Sequence, residues 1–81
     1  MNKETNLCIN EFIDYLQFEK GLSEKTIKSY KVDLRDFFDA TKKEYDEIKK
    51  EDIYKYIEDI KKKFKHNTVQ RKVSAVKSFF K

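Results

Sequence analysis

The sequence predicts an all-α protein, a single bundle of four short helices. Three observations carry this reading. Apolar residues recur at spacings of three and four along four separate stretches, which is the period of a helix with one buried face. No proline and only one glycine occur in 81 residues, too few breakers for a sheet that turns repeatedly. Seven Phe and five Tyr provide bulky side chains for a core that must be thin, because a chain of this size buries only about 60% of its unfolded surface.

The first helix is expected over about residues 5–19, where Ile9, Phe12, Ile13 and Leu16 fall at i, i+3, i+4 and i+7. Gly21 marks the first turn, "KGLS", as the one residue free to take positive φ. Ser23 then caps a second helix whose apolar side is Ile27, Tyr30, Leu34, Phe37 and Phe38, with Lys25, Lys28, Lys31 and Arg35 on the other side. Residues 41–50 are polar and unpatterned and read as a loop with one turn, anchored by Tyr45 and Ile48. A third helix follows from about Glu51, with Ile53, Tyr56, Ile57, Ile60 and Phe64 inward and "KKKFK" placing cations at its negative end. His66 and Asn67 are expected to break the chain, and Asn67 with Gln70 matches a capping box. The fourth helix buries Val69, Val73, Val76 and Phe80. Phe12, Phe37, Phe38, Phe64 and Phe80 are expected in the core; Phe79, off the valine stripe, packs on the first helix or awaits another segment, and Tyr54 is exposed. Nothing divides the chain, so residues 1–81 read as one domain.

Charge is unevenly placed. The net charge is +4, yet residues 1–40 hold six basic against eight acidic side chains, 41–65 nine against seven, and 66–81 four against none. A polyanion is the natural partner of such an end, nucleic acid before membrane. The longest apolar run is the three residues Leu7 to Ile9, so neither signal peptide nor membrane span is expected. A single cysteine, Cys8, offers no disulfide and no zinc site and suits a reducing, cytoplasmic compartment. The single histidine, His66, has no second ligand at metal spacing, and the carboxylate pairs Glu51–Asp52 and Glu58–Asp59 fit helix-surface charge better than acid-base chemistry. No catalytic residue, metal or cofactor is expected.

Opposite the valine stripe, the fourth helix presents Gln70, Arg71, Ser74, Lys77, Ser78 and Lys81. Cations with short hydroxyl residues between them suit an approach into a major groove, where Arg71 can reach guanine and Gln70 adenine. An ordinary solvated helix face would look the same if it stood alone. The second helix adds weight: "SEKTIKSYK" gathers Ser23, Lys25, Thr26, Lys28 and Ser29 at a helix start, whose free N–H groups favour an anion. Tyr30 can bury its ring and offer its hydroxyl to a phosphate.

Three blocks, "FIDYLQFEKGLSEKTIKSYKVDLRDFF", "KKEDIYKYIEDI" and "NTVQRKVSAVKSFFK", in this order and spacing, resemble the N-terminal core-binding domain of tyrosine recombinases and phage-type integrases. The resemblance covers residues 9–81 and implies a SAM-like orthogonal four-helix bundle that forms half of a clamp on double-stranded DNA. It implies DNA contact by Ser23, Thr26 and Tyr30 of the second helix and by Thr68, Arg71, Ser74 and Lys77 of the fourth, a set that overlaps the one reached from helix faces; Asn67, beside Thr68, is a further candidate DNA contact. Lys49 and Lys50 stand where many members have Thr-Pro. The family's catalytic arginine pair, histidines and nucleophilic tyrosine have no counterpart here, since the only arginines are Arg35 and Arg71. The expectation is a monomeric DNA-binding domain of a longer bacterial or phage enzyme, with duplex DNA and other recombinase protomers as partners in the assembly. A helical module whose basic face meets an acidic protein is the alternative. An anionic-membrane binder fits less well, because the apolar stripes are needed inside.

Overall fold

The structure, a computed structural model, describes residues 2–80. Four helices follow one another: α1 (Lys3–Phe18), α2 (Glu24–Thr41), α3 (Lys50–Lys63) and α4 (His66–Phe79), with a 3₁₀ turn (Tyr45–Glu47) between α2 and α3. No strand occurs among the described residues, so the all-α expectation holds.

Local chemistry sets each boundary. Asn2 Oδ1 accepts from the Thr5 N–H at 2.8 Å and opens α1. After α1, Gly21 takes φ 62°, and a Cβ there would meet nothing within 4 Å. Backbone conformation, not space, therefore requires the glycine. Ser23 caps α2 as expected, its Oγ accepting from the Thr26 N–H at 3.3 Å. α2 ends at Lys42, which takes the left-handed φ of 56° and donates its N–H to Phe38 O at 2.9 Å. At α3 the Asp52 carboxylate accepts from the Lys49 N–H at 2.9 Å, so a lysine pair starts the helix without a Thr-Pro cap.

The α3–α4 junction differs from the sequence expectation. Phe64 and Lys65 form the break in extended backbone, Lys65 is the N-cap, and His66 and Asn67 already belong to the first turn of α4. Asn67 caps nothing. Phe64 is also not core: leaving α3 at its C-cap carries it off the buried face, and it is 45% exposed.

α2 is the central helix and packs against each of the others, most extensively against α4. Phe37 is fully buried and meets Phe38, Tyr56 and Phe80 edge-on at centroid distances of 5.3, 4.9 and 5.7 Å. Phe79 settles onto α1 through Phe12, 5.5 Å away, and also touches Phe38. Ile9, Leu34, Ile60, Val69 and Val76 fill the space around these rings. Tyr45 and Ile48 anchor the α2–α3 connection to this core.

A polar relay fastens the same connection to α1. The Tyr45 N–H donates to Thr5 Oγ1 at 3.0 Å, and that hydroxyl donates to Glu44 Oε1 at 2.8 Å. The Asn2 N–H donates to the same carboxylate oxygen. The Asn2 N–H and the Thr5 hydroxyl hold the Glu44 carboxyl below its ordinary pKa. A depressed folded value means the relay's contribution is present above the unfolded value of about 4.3 and is lost as pH falls through the folded one. Glu44→Gln is expected to melt below the unaltered chain at neutral pH. Melts followed by circular dichroism should show that gap closing in acid; a gap that stayed constant would remove Glu44's charge from the relay.

Candidate nucleic-acid interface

The candidate interface draws on α2 and α4, and their relative direction decides whether its parts meet. Asp33 of α2 touches Arg71 and Lys72 of α4, while Phe37 and Phe38 farther along α2 touch Phe80 and Phe79 farther along α4. The two helices thus run the same general way, and their N-terminal turns lie toward the same end of the bundle. Thr26 and Ser29 fall about two turns and one turn before Asp33, on the flank of α2 turned toward α4. Both are half-buried, as is Tyr30, whereas Ser23, Lys25 and Lys28 are exposed. Glu24, also exposed, adds an acid to this first turn.

Along α4, Asn67, Gln70, Arg71, Ser74, Lys77 and Ser78 are exposed and Thr68 is half-buried. Lys81 lies outside the described residues. The first turn of α4 has no acidic residue and no side-chain cap, so its leading N–H groups remain available to an anion. The arc has two edges. Gln70, Ser74 and Lys77 line a groove of about 780 Å³ against α3, where Ile57 and Lys61 form the facing wall and Phe64, Val69 and Val73 add apolar surface. Arg71 stands on the other edge, beside α2.

The sequence reading of an acid-free arc needs correction at that edge. Asp33, fully buried, accepts from Arg71 Nε at 2.9 Å and Nη2 at 3.1 Å, and from Lys72 Nζ at 3.2 Å. Lys72 Nζ also donates to Asp36 at 2.9 Å. The acids that α4 lacks are supplied by α2. Hydrogen bonds to Asp33 push the Arg71 pKa up, farther above the range in which a guanidinium already keeps its charge. For Lys72 burial opposes the charge most, but the bonds to Asp36 and Asp33 together outweigh it and leave the amine above its usual value.

Asp33, Lys72 and Lys61 went unmarked in the sequence, yet a signal was there. Asp33 sits beside Leu34 on the side of α2 that carries Tyr30 and Phe37, and Lys72 falls between Val69 and Ala75 on α4. Opposite charges intruding into two apolar stripes are candidates for one buried pair. Lys61 had no such mark, since it becomes part of the groove only when α3 packs on α4.

Comparison with known proteins matches residues 9–81 to the family model described as phage integrase, N-terminal SAM-like domain. The chain is 37% identical over 73 residues to a tyrosine recombinase of Agathobacter rectalis, covering 89% of this chain and 24% of the relative. It is 32% identical to tyrosine recombinase XerC of Anoxybacillus flavithermus, covering 98% and 28%, and 32% identical to tyrosine recombinase XerD of Oceanobacillus iheyensis, covering 89% and 26%. The chain spans about a quarter of the length of these curated relatives. No solved structure matches it significantly. Four helices in a strand-free bundle, three sequence blocks in order and a family match over nearly the whole chain agree: the chain belongs to the SAM-like N-terminal domains of phage integrases and tyrosine recombinases.

Proposed function

We propose that residues 1–81 are the core-binding domain of a tyrosine recombinase or integrase and bind duplex DNA during site-specific recombination, with no catalytic residue of their own. Strand exchange then belongs to the remaining three quarters of such a protein, and other recombinase protomers are its partners on the DNA. One observation carries the reading: Asp33 meets Arg71 while Phe38, farther along α2, meets Phe79, farther along α4, a pairing that supports one shared surface for the Ser23–Lys25–Thr26 turn and the exposed arc from Asn67 to Lys77. The longest dimension of the bundle, 33 Å, is close to one turn of duplex, about 34 Å, so the bundle is long enough to span about one turn.

The reading gives each residue a task. Lys25, Lys28, Lys61, Lys65 and Lys77 are exposed and supply charge to phosphates. Ser23, Thr26, Ser29, Tyr30, Asn67 and Thr68 offer hydroxyl or amide groups near helix starts, and Gln70, Arg71 and Ser74 face base edges. Neutralising about five phosphates predicts a fall of log K against log salt with slope about −4 to −5. Lys25→Ala should weaken every duplex alike and reduce that slope by about 1, whereas Arg71→Ala should flatten sequence preference. Filter binding at several salt concentrations measures both; a slope near zero would remove the electrostatic part.

The apolar floor of the α3–α4 groove favours a second reading, a helical module whose basic face meets an acidic protein. Nuclear magnetic resonance shifts on adding duplex DNA separate the two. Shifts concentrated on α2 and α4 support DNA; small scattered shifts support the protein partner.

A further inference from the structure

Arg71 meets Asp33 side-on, and this leaves half of its guanidinium unused. The Nε and Nη2 donors go to the two oxygens of the buried carboxylate. A guanidinium has five N–H donors in one rigid plane, so both N–H groups of Nη1 and the second of Nη2 remain. The Arg71 side chain is 47% exposed while Asp33 is fully buried. One edge is gripped from inside the bundle, and the outer fork is left for a ligand.

We infer that Asp33 is a positioning residue for DNA readout, fixing the guanidinium plane of Arg71 so that its free Nη1–Nη2 fork meets a pair of acceptors on a base edge. The inference rests on the duplex-binding reading and adds to it the group that aims the contact. Asp33 is itself held: Lys72 Nζ donates to Oδ1, the oxygen that also accepts from Arg71 Nη2, as well as to Asp36, and lies 5.2 Å from the centre of the Phe64 ring, so a second, buried cation fixes the carboxylate. The two acids and two bases of this cluster also cancel in charge. Arg71 therefore brings little net charge to a phosphate and contributes direction instead. A lysine at this position has no rigid plane and cannot hold out a fixed two-donor fork while it is bound to Asp33. Because Arg71 is already immobilised, less side-chain freedom is lost when it meets a base.

The test uses the 81-residue chain, a pool of duplexes with a randomised centre, and nuclear magnetic resonance of the arginine Nε–H groups. Only two such signals exist, and Arg35, exposed and without an ion pair among the described residues, is an internal control. In the free protein the Arg71 signal should exchange with water more slowly than that of Arg35, and Asp33→Asn should bring the two together. The unaltered chain should enrich a preferred sequence. Asp33→Asn and Arg71→Lys should each lose about tenfold in discrimination at the same one or two base pairs, and Asp33→Asn should keep its affinity for an unselected duplex within about twofold. Where Asp33→Asn alone does not keep its helical circular dichroism, the double variant Asp33→Asn, Lys72→Met replaces it, since it removes the buried cation with the acid. An unchanged preference in a folded Asp33 variant overturns the inference, and so does a parallel loss on every duplex, which marks a purely structural role. If the unaltered chain binds no duplex, the DNA reading fails and the positioning role fails with it, whatever the Nε signals show.

Discussion

Phe37→Ala is expected to remove about 3–5 kcal/mol of the chain's stability. Phe37 is fully buried and stands edge-on to Phe38, Tyr56 and Phe80, so it joins α2 to α3 and to the end of α4. Removing a buried phenyl ring costs about 3–5 kcal/mol, because contacts are lost and the surrounding helices only partly close the space. Typical domains hold about 0.05–0.15 kcal/mol per residue, which for this length gives roughly 4–12 kcal/mol in all. One ring is therefore a large share of the total. Phe64→Ala is the matched control: with 45% exposure at the end of α3, it should cost less than about 1 kcal/mol. Urea unfolding followed by circular dichroism measures both. Equal losses would mean that the aromatic centre does not lie around Phe37.

Why Phe37 and Phe64 part company also explains how much the sequence could reveal. Within one helix, spacing fixes which side chains share a face, and Ile9, Leu16, Ile27, Leu34, Phe37, Phe38, Ile60 and Val76 are all buried where the period puts them. Phe64 obeys the same period, but the helix ends before reaching it, and periodicity carries no information on the turn where backbone leaves αR. The Asn67 cap failed for a related reason. A capping-box pattern marks residue types that can cap, and here the cap falls two residues earlier, at Lys65, whose side chain accepts nothing. The candidate interface divides in the same way. Exposure of Ser23, Lys25, Lys28, Gln70, Ser74 and Lys77 follows from helix faces alone. What Arg71 does depends on Asp33, 38 residues away, and only packing of α2 on α4 brings them together.

Lys72→Met is expected to destabilise the chain by about 2–4 kcal/mol, although a methionine fills the same space and suits an apolar site better. The loss arises from what is left behind. Asp33 stays fully buried and keeps Arg71 but loses its second cation, while Asp36, half exposed, turns to water at little cost. If the buried carboxylate's loss of its second cation is the cause, adding Asp33→Asn should recover part of the loss, with a coupling of about 1–3 kcal/mol between the two sites. Additive losses would show instead that Lys72 acts through packing against Phe64. Alkaline titration provides an independent check. Lys72 holds its proton more tightly folded than unfolded, so its contribution is fully present below the unfolded value of about 10.4 and fades as pH rises through the higher folded one. Above that unfolded value the unaltered chain should lose stability with pH more steeply than Lys72→Met, and the two should converge. The same cluster that steadies Arg71 in neutral solution is then what ties the bundle's stability to the proton on one buried amine.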